Sequence, residues 1–325
     1  MGCKYASVFR KEFSDFISLR LASGIKNKDE KYMLAELDRF LIENKVEAKA
    51  LTENIILKWF HEMDVSPRTK KRKASAMRVF AKYLLSMGIE AFIMEIPQGS
   101  LNYVPYIFSE DEFVRIISVV DNFASKPSTF RYQAAKQMPL LIRILYGCGL
   151  RLQEALLLRW CNVNTKDATL FVEHAKNDKQ RIVPMSASLA RICEKYRYSG
   201  LCATEESDYL FSKNGIEPYS KNRIQTVFNV TLKEAGIEFY KVKKKERGPC
   251  LHCLRHLFVF HSFSQAESSG MPFDDSVPYL STYLGHSHIM ETDKYLKFSH
   301  VMFTDAHEAI DNYTKGVFPK VVVSE

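Results

Sequence analysis

Six side chains between residues 151 and 295 of this 325-residue chain stand in contexts suited to binding an anion. Arg151 follows the small-residue turn Tyr146-Gly147-Cys148-Gly149 and heads a helical run. There its guanidinium and nearby helix-terminal amides can cradle an anion. Glu154, one turn on, is its natural local partner. Lys176 lies in the polar stretch Lys176-Asn177-Asp178-Lys179 between two β-like runs, where a long ammonium side chain can reach into a cleft. In CLHCLRHLFVF, His252 and Arg255 are three apart and so share a helical face. An arginine among Leu254, Leu257 and Phe258 needs an anionic partner if it is buried, and a phosphate would serve. His286 follows Gly285, a residue that accepts the left-handed backbone closing a helix. Tyr295 comes nine positions later in a new helical run with Thr292 as a plausible N-cap, so a histidine at a tight turn and a tyrosine on the next helix can face one pocket.

Two other readings compete. Each residue taken alone fits an ordinary surface role: a solvated turn lysine, an exposed Arg–Glu pair, a half-buried tyrosine. Cys250, His252, Cys253 and His256 also form a zinc-like cluster. Only one CxxC is present, however, and no second pair follows at finger spacing, so a closed four-ligand site is not expected. No carboxylate cluster is set up for Mg²⁺ either, and neither metal nor cofactor is expected.

The elements that must position these residues are mainly helical. Residues 1–100 read as short amphipathic helices, with Phe9, Phe13, Phe16 and Ile17, then Leu34, Leu37, Phe40 and Leu41, at helical spacing. Ser66-Pro67 looks like an N-cap followed by proline at the first helical position. The helix it opens carries Arg68, Lys70, Lys71, Arg72 and Lys73 near its start. The proline- and glycine-containing stretch EIPQGSLNYVP reads as a linker, with the boundary placed at 101–106. A capping box, Ser109 with Glu112, opens the second domain, 107–325. Helices are predicted over 135–145, 152–160, 187–195, 221–235, 252–265 and 277–284. The runs 168–173 and 180–185 read as an antiparallel hairpin with a charged tip. Further helices are expected around Tyr295 and over 300–313, with an apolar tail at 317–323. The predicted class is therefore mainly α with a small antiparallel β-sheet.

Bulk properties agree with a nucleic-acid partner. The composition, 46% hydrophobic and 26% charged, is ordinary for a globular protein. No apolar run approaches the roughly 18 residues of a membrane span, and the N-terminus lacks a signal-peptide core. Seven cysteines without framework spacing suit reduced thiols, and a cytoplasmic location is expected. The net charge is +8, and residues 1–100 hold 18 Lys and Arg against 13 Asp and Glu. A second basic run, Lys241, Lys243, Lys244, Lys245 and Arg247, precedes Gly248-Pro249. Both runs are candidates for phosphate contact.

In this order and these local contexts, Arg151, Lys176, His252-x-x-Arg255, His286 and Tyr295 resemble the tyrosine recombinase, or phage integrase, family. The resemblance covers about residues 106 to 300 as a catalytic domain, and residues 1–100 look like the family's helical, SAM-like core-binding domain. It implies that Arg151 and Arg255 clamp a phosphate, that Lys176 is the hairpin lysine, that His252 and His286 fill the two histidine positions and that Tyr295 is the nucleophile. It further makes Glu154 the acid that orients the first arginine and His256 a supporting residue. Cys148 stands where Thr or Ser is frequent, and Asn162 where an acid is frequent. The hairpin lacks the family's glycines, so Lys179 competes with Lys176; the latter keeps the family's distance to Arg181 and Pro184.

These residue types suit transesterification at phosphorus. Tyrosine, with a free pKa near 10, is a weak nucleophile and needs a base, for which His252 is the candidate. Attack adds negative charge to the non-bridging oxygens, which Arg151, Arg255 and His286 can stabilise. Lys176 can protonate the leaving 5′-oxygen. The implied partners are double-stranded DNA and further copies of the chain in a homotetramer on paired sites, together with accessory proteins. The tail at 317–323 is expected to dock on a neighbour, and no separate arm-site-binding domain is expected before residue 1. The competing functions are DNA relaxation of the type IB topoisomerase kind and non-catalytic DNA binding.

Overall fold

The computed structural model describes residues 5–25, 28–97, 106–123, 133–173, 180–239 and 248–286. The chain divides into two compact units, Met1–Tyr103 and Val104–Glu325. The predicted class is correct: the described residues are mainly helical with one small antiparallel sheet.

Among the described residues, four helices build the first unit: α1 (Arg10–Ala22), α2 (Lys28–Glu43), α3 (Glu53–Glu62) and α4 (Pro67–Ser86). Their apolar stripes meet in a core containing Phe13, Phe16, Leu37, Trp59, Met77 and Phe80, all nearly or fully buried. Aromatic contacts tie α1 to α4, with ring centroids 5.1 Å apart for Phe13–Phe80 and 5.2 Å for Phe16–Phe80. Ser66 caps α4, its Oγ accepting from the Thr69 amide, and Pro67 fills the first helical position where no intrahelical donor is needed. In the first turns of α4, Arg68, Lys71 and Arg72 are exposed and Lys70 is partly exposed. Lys73 is instead tucked against α2, where its ammonium pairs with Glu36.

The second unit starts with α5 (Glu110–Phe123), whose capping box is complete: the Glu112 amide donates to Ser109 Oγ and the Ser109 amide to Glu112 Oε2. It packs on α6 (Gln133–Gly147), a strongly buried helix at the centre of the core. The helix predicted over 152–160 is a single turn, α7 (Leu152–Leu156), and the chain then turns away. The reason is tertiary pairing: the Leu158 carbonyl accepts from the Leu210 amide and the Trp160 amide donates to Asp208, bonds a continued helix would forbid. Asn162 closes the following 3₁₀ turn, its Oδ1 accepting from the Arg159 amide.

The predicted hairpin is part of a three-stranded antiparallel sheet, because β1 (Val163–Asn164) adds to β2 (Thr169–Val172) and β3 (Arg181–Pro184). Register pairs Leu170 with Val183 on the buried face and Phe171 with Ile182 on the outer face. Helices α8 (Ala187–Arg197) and α9 (Lys221–Glu234) follow, each opened by a serine cap, Ser186 and Ser220. Then come α10 (His252–Ser268) and α11 (Phe273–Leu284), which pack on each other through Val259, Phe263, Val277 and Leu280. No helix among the described residues is long and apolar enough to cross a membrane.

Candidate active site

The site is assembled where α7, β3, α10 and the end of α11 meet. Arg151 is the N-cap of α7, in extended backbone, and its side chain is about one fifth exposed. Glu154, nearly fully buried, holds it twice: Oε2 accepts from the Arg151 amide at 3.0 Å and Oε1 from Arg151 Nη1 at 2.9 Å. The same carboxylate takes both terminal nitrogens of Arg181 on β3, Nη2 to Oε2 at 2.9 Å and Nη1 to Oε1 at 3.3 Å. Burial alone would raise the Glu154 carboxyl, but hydrogen bonds from Arg181 and Arg151 and the Arg181 charge outweigh it and hold the acid below its ordinary range. Two guanidiniums thus share one buried carboxylate, and the cluster keeps one positive charge in excess.

Arg181 also reaches α11, donating from Nε to the Tyr283 carbonyl at 3.1 Å. Two residues later Gly285 closes α11 with φ +66°, the left-handed conformation expected of it. A Cβ on Gly285 would lie 3.2 Å from Arg181 Cδ and Nη1, so glycine here serves both backbone conformation and close approach.

Arg255 is essentially buried. Its Nη1 donates to the Gly149 carbonyl at 2.6 Å, and its Nη2 donates to the Leu284 carbonyl at 3.0 Å and lies 3.1 Å from His286 Nε2. The expectation that burial of this side chain requires an anion is corrected in part: main-chain carbonyls, one from the turn before α7 and one from the end of α11, receive its protons. Gly149 makes this approach available. It has φ +59°, and a Cβ there would fall 2.4 Å from the Phe258 ring of α10. Phe258 in turn stacks on Tyr283 of α11 at 5.4 Å.

His252 is exposed at the first turn of α10, and its ring meets that of His256 at 4.6 Å between centroids. Although His252 and Arg255 are three apart, the first faces outward and the second inward. The half-buried His256 is pushed down to about 3, first by burial and then by the neighbouring His252 and Arg255 charges, so it is neutral at physiological pH. Among the described residues no group of three or more His, Cys, Asp or Glu could hold a metal ion. Cys250 and Cys253 face each other, with 3.6 Å between sulfurs. Cys148 is a buried thiol pushed up to about 12, chiefly by burial.

The structure therefore brings together Arg151, Glu154, Arg255 and His286, with His252 and His256 on the helix that carries Arg255. Lys176, Lys179, Tyr295, Lys241, Lys243, Lys244, Lys245 and Arg247, like the tail at 317–323, lie outside the described residues. Sequence reasoning used Arg181 only as a spacing marker and missed its contacts. Its one signal was a cation opening a half-buried strand, which needs a buried acid nearby.

Comparison with known proteins points the same way. The model of the phage integrase family matches residues 107–300. A putative integrase/recombinase, y4rB, of Sinorhizobium fredii is 27% identical over 303 residues, 89% of this chain and 93% of that protein. Tyrosine recombinase XerC of Bacillus subtilis is 25% identical over 281 residues, covering 81% and 82%. Among solved structures, XerH site-specific recombinase bound to palindromic difH substrate superposes with a TM-score of 0.64 at 16% identity, over 86% of this chain and 78% of that one. A lambda integrase dimer bound to a COC′ core site gives 0.62 at 15% identity, over 87% and 75%. The chain belongs to the phage integrase family, the tyrosine recombinases.

Proposed function

We propose that this protein cuts and rejoins double-stranded DNA at specific sites through a 3′-phosphotyrosine on Tyr295. The observation that carries the reading is the seating of Arg255, which bonds the carbonyl of Gly149, two residues before Arg151, while its other terminal nitrogen lies 3.1 Å from His286. Two guanidiniums and an imidazole are thereby tied to one region, which is what a pentavalent phosphorus centre with extra negative charge needs. In this scheme Arg151, Arg255 and His286 hold the scissile phosphate. His252, exposed beside them, takes the Tyr295 proton, and Lys176 returns one to the departing 5′-oxygen. Ligation runs the steps backwards, so no nucleotide is consumed and no cofactor is involved.

Residues 1–100 act as the core-binding domain, joined by the linker at 101–106 to the catalytic domain, 107–325. The DNA-bound state of the XerH and lambda integrase neighbours supports duplex DNA as partner. A homotetramer on paired sites is the working assembly, with the tail at 317–323 as its inter-subunit contact. The test is a suicide DNA duplex whose nicked strand releases a short fragment after cleavage. Wild-type protein becomes covalently attached and Tyr295→Phe does not; an adduct that persists in Tyr295→Phe removes Tyr295 as nucleophile.

A further inference from the structure

The CxxC at the start of α10 has no part in strand cleavage as described above, yet its geometry is that of a dithiol ready to close. Cys250 Sγ lies 3.6 Å from Cys253 Sγ, and the Cys250 amide donates to Cys253 Sγ at 3.3 Å. The first turn is already wound, with the Cys253 amide bonded to the Cys250 carbonyl at 2.8 Å. Cys250 is half-buried and reachable, whereas Cys253 is buried. His252 stands between them, and Arg255 follows two residues after Cys253.

We propose that Cys250 and Cys253 form a reversible intramolecular disulfide that slows strand cleavage by shifting the first turn of α10; the effect on cleavage rests on the functional reading above. With glutathione disulfide as oxidant, the Cys250 thiolate attacks one glutathione sulfur and expels the other as thiolate, leaving a mixed disulfide. Cys253 then gives up its proton and attacks the Cys250 sulfur, expelling the second glutathione. The dithiol loses two electrons and two protons, and glutathione disulfide becomes two thiols. The order follows from access. The bond requires the sulfurs to close to about 2.05 Å, which moves the segment carrying His252. A misplacement of about 1 Å at a catalytic group costs on the order of a hundredfold in rate.

Trypsin cuts after Arg247 and Arg255, so both cysteines fall in one peptide, residues 248–255. Full-length protein is equilibrated with glutathione disulfide, alkylated and digested. The expected result is a 248–255 peptide two hydrogens lighter and free of label, which dithiothreitol restores to double labelling. In parallel, cleavage of the suicide duplex falls at least about tenfold on oxidation and recovers on reduction, while Cys250→Ser is insensitive. Labelling of both sulfurs after oxidation overturns the proposal, as does equal inhibition of Cys250→Ser. A reduced protein that never cleaves DNA instead removes the strand-cutting reading, and the peptide mass still decides whether the disulfide forms.

Discussion

Arg255 Nη2 and His286 Nε2 lie 3.1 Å apart, joining α10 to the turn that ends α11 across 31 residues of sequence. A guanidinium has only donors, so in a hydrogen bond between the two His286 Nε2 is the accepting partner. The same Arg255 nitrogen donates to the Leu284 carbonyl. The turn Leu284-Gly285-His286 is therefore held by one side chain at both ends, and its shape decides where the imidazole sits.

Gly285→Ala tests that turn. Placing a Cβ at φ +66° costs about 1–2 kcal/mol for the left-handed backbone, and the new atom presses on Arg181 at 3.2 Å. A lowered midpoint in urea unfolding is expected, with a larger proportional loss of cleavage than of DNA affinity. Wild-type cleavage in Gly285→Ala would mean that the turn does not position His286.

How far the sequence revealed this arrangement depends on the range of the interactions involved. Ser66-Pro67 and the Ser109/Glu112 pair announced two helix starts because capping acts within four residues. Gly285 announced its turn for the same reason. The end of α7 was illegible because it is set by pairing with residues 208–210, and β1 because a two-residue strand has no periodicity of its own. Arg255 bonds a carbonyl 106 residues away and Arg181 one 102 residues away, and no local pattern encodes either. Residue types and order pointed to a phosphate site, but which groups neutralise which needed the fold.

Glu154 carries the next prediction. Its folded-state acidity is raised, so the carboxyl binds fewer protons folded than unfolded, and its contribution to stability is present above the unfolded pKa near 4.3 and lost as pH falls through the lower folded value. Glu154→Ala leaves the Arg181 guanidinium, only 12% exposed, without this counter-charge, at a cost of about 3–5 kcal/mol. Glu154→Gln keeps the shape and is expected to be milder, with a flatter acid limb in urea titrations between pH 5 and 3. An unchanged acid limb would refute the ion-pair assignment.

His256 gives a separate pH window. Its pKa is pushed down to about 3 in the fold against about 6.5 in the unfolded chain. Between those values the unfolded state holds more protons, so stability falls as the solution is acidified from pH 6.5 towards 3 and is fully present above 6.5. Replacement by Phe, which cannot titrate, is expected to remove the part of the slope between pH 6.5 and 4.5, where Glu154 contributes little. The same slope in His256→Phe and wild type would show that the ring protonates freely in the folded protein.

The basic start of α4 separates two kinds of cation. Arg68 and Lys71 are exposed, whereas Lys73 pairs with Glu36 of α2. If the first two bind backbone phosphates, replacing either by Ala makes the slope of log affinity against log salt shallower by about 0.9, while urea stability stays within about 0.5 kcal/mol of wild type. Lys73→Ala is expected to do the reverse, weakening the α2–α4 packing and leaving the salt slope unchanged, because its charge is already neutralised by Glu36. Affinity measured by fluorescence anisotropy on a labelled duplex at several salt concentrations decides the matter. A slope that falls equally for Lys73→Ala and Lys71→Ala would place Lys73 on DNA and break the Glu36 pair on binding.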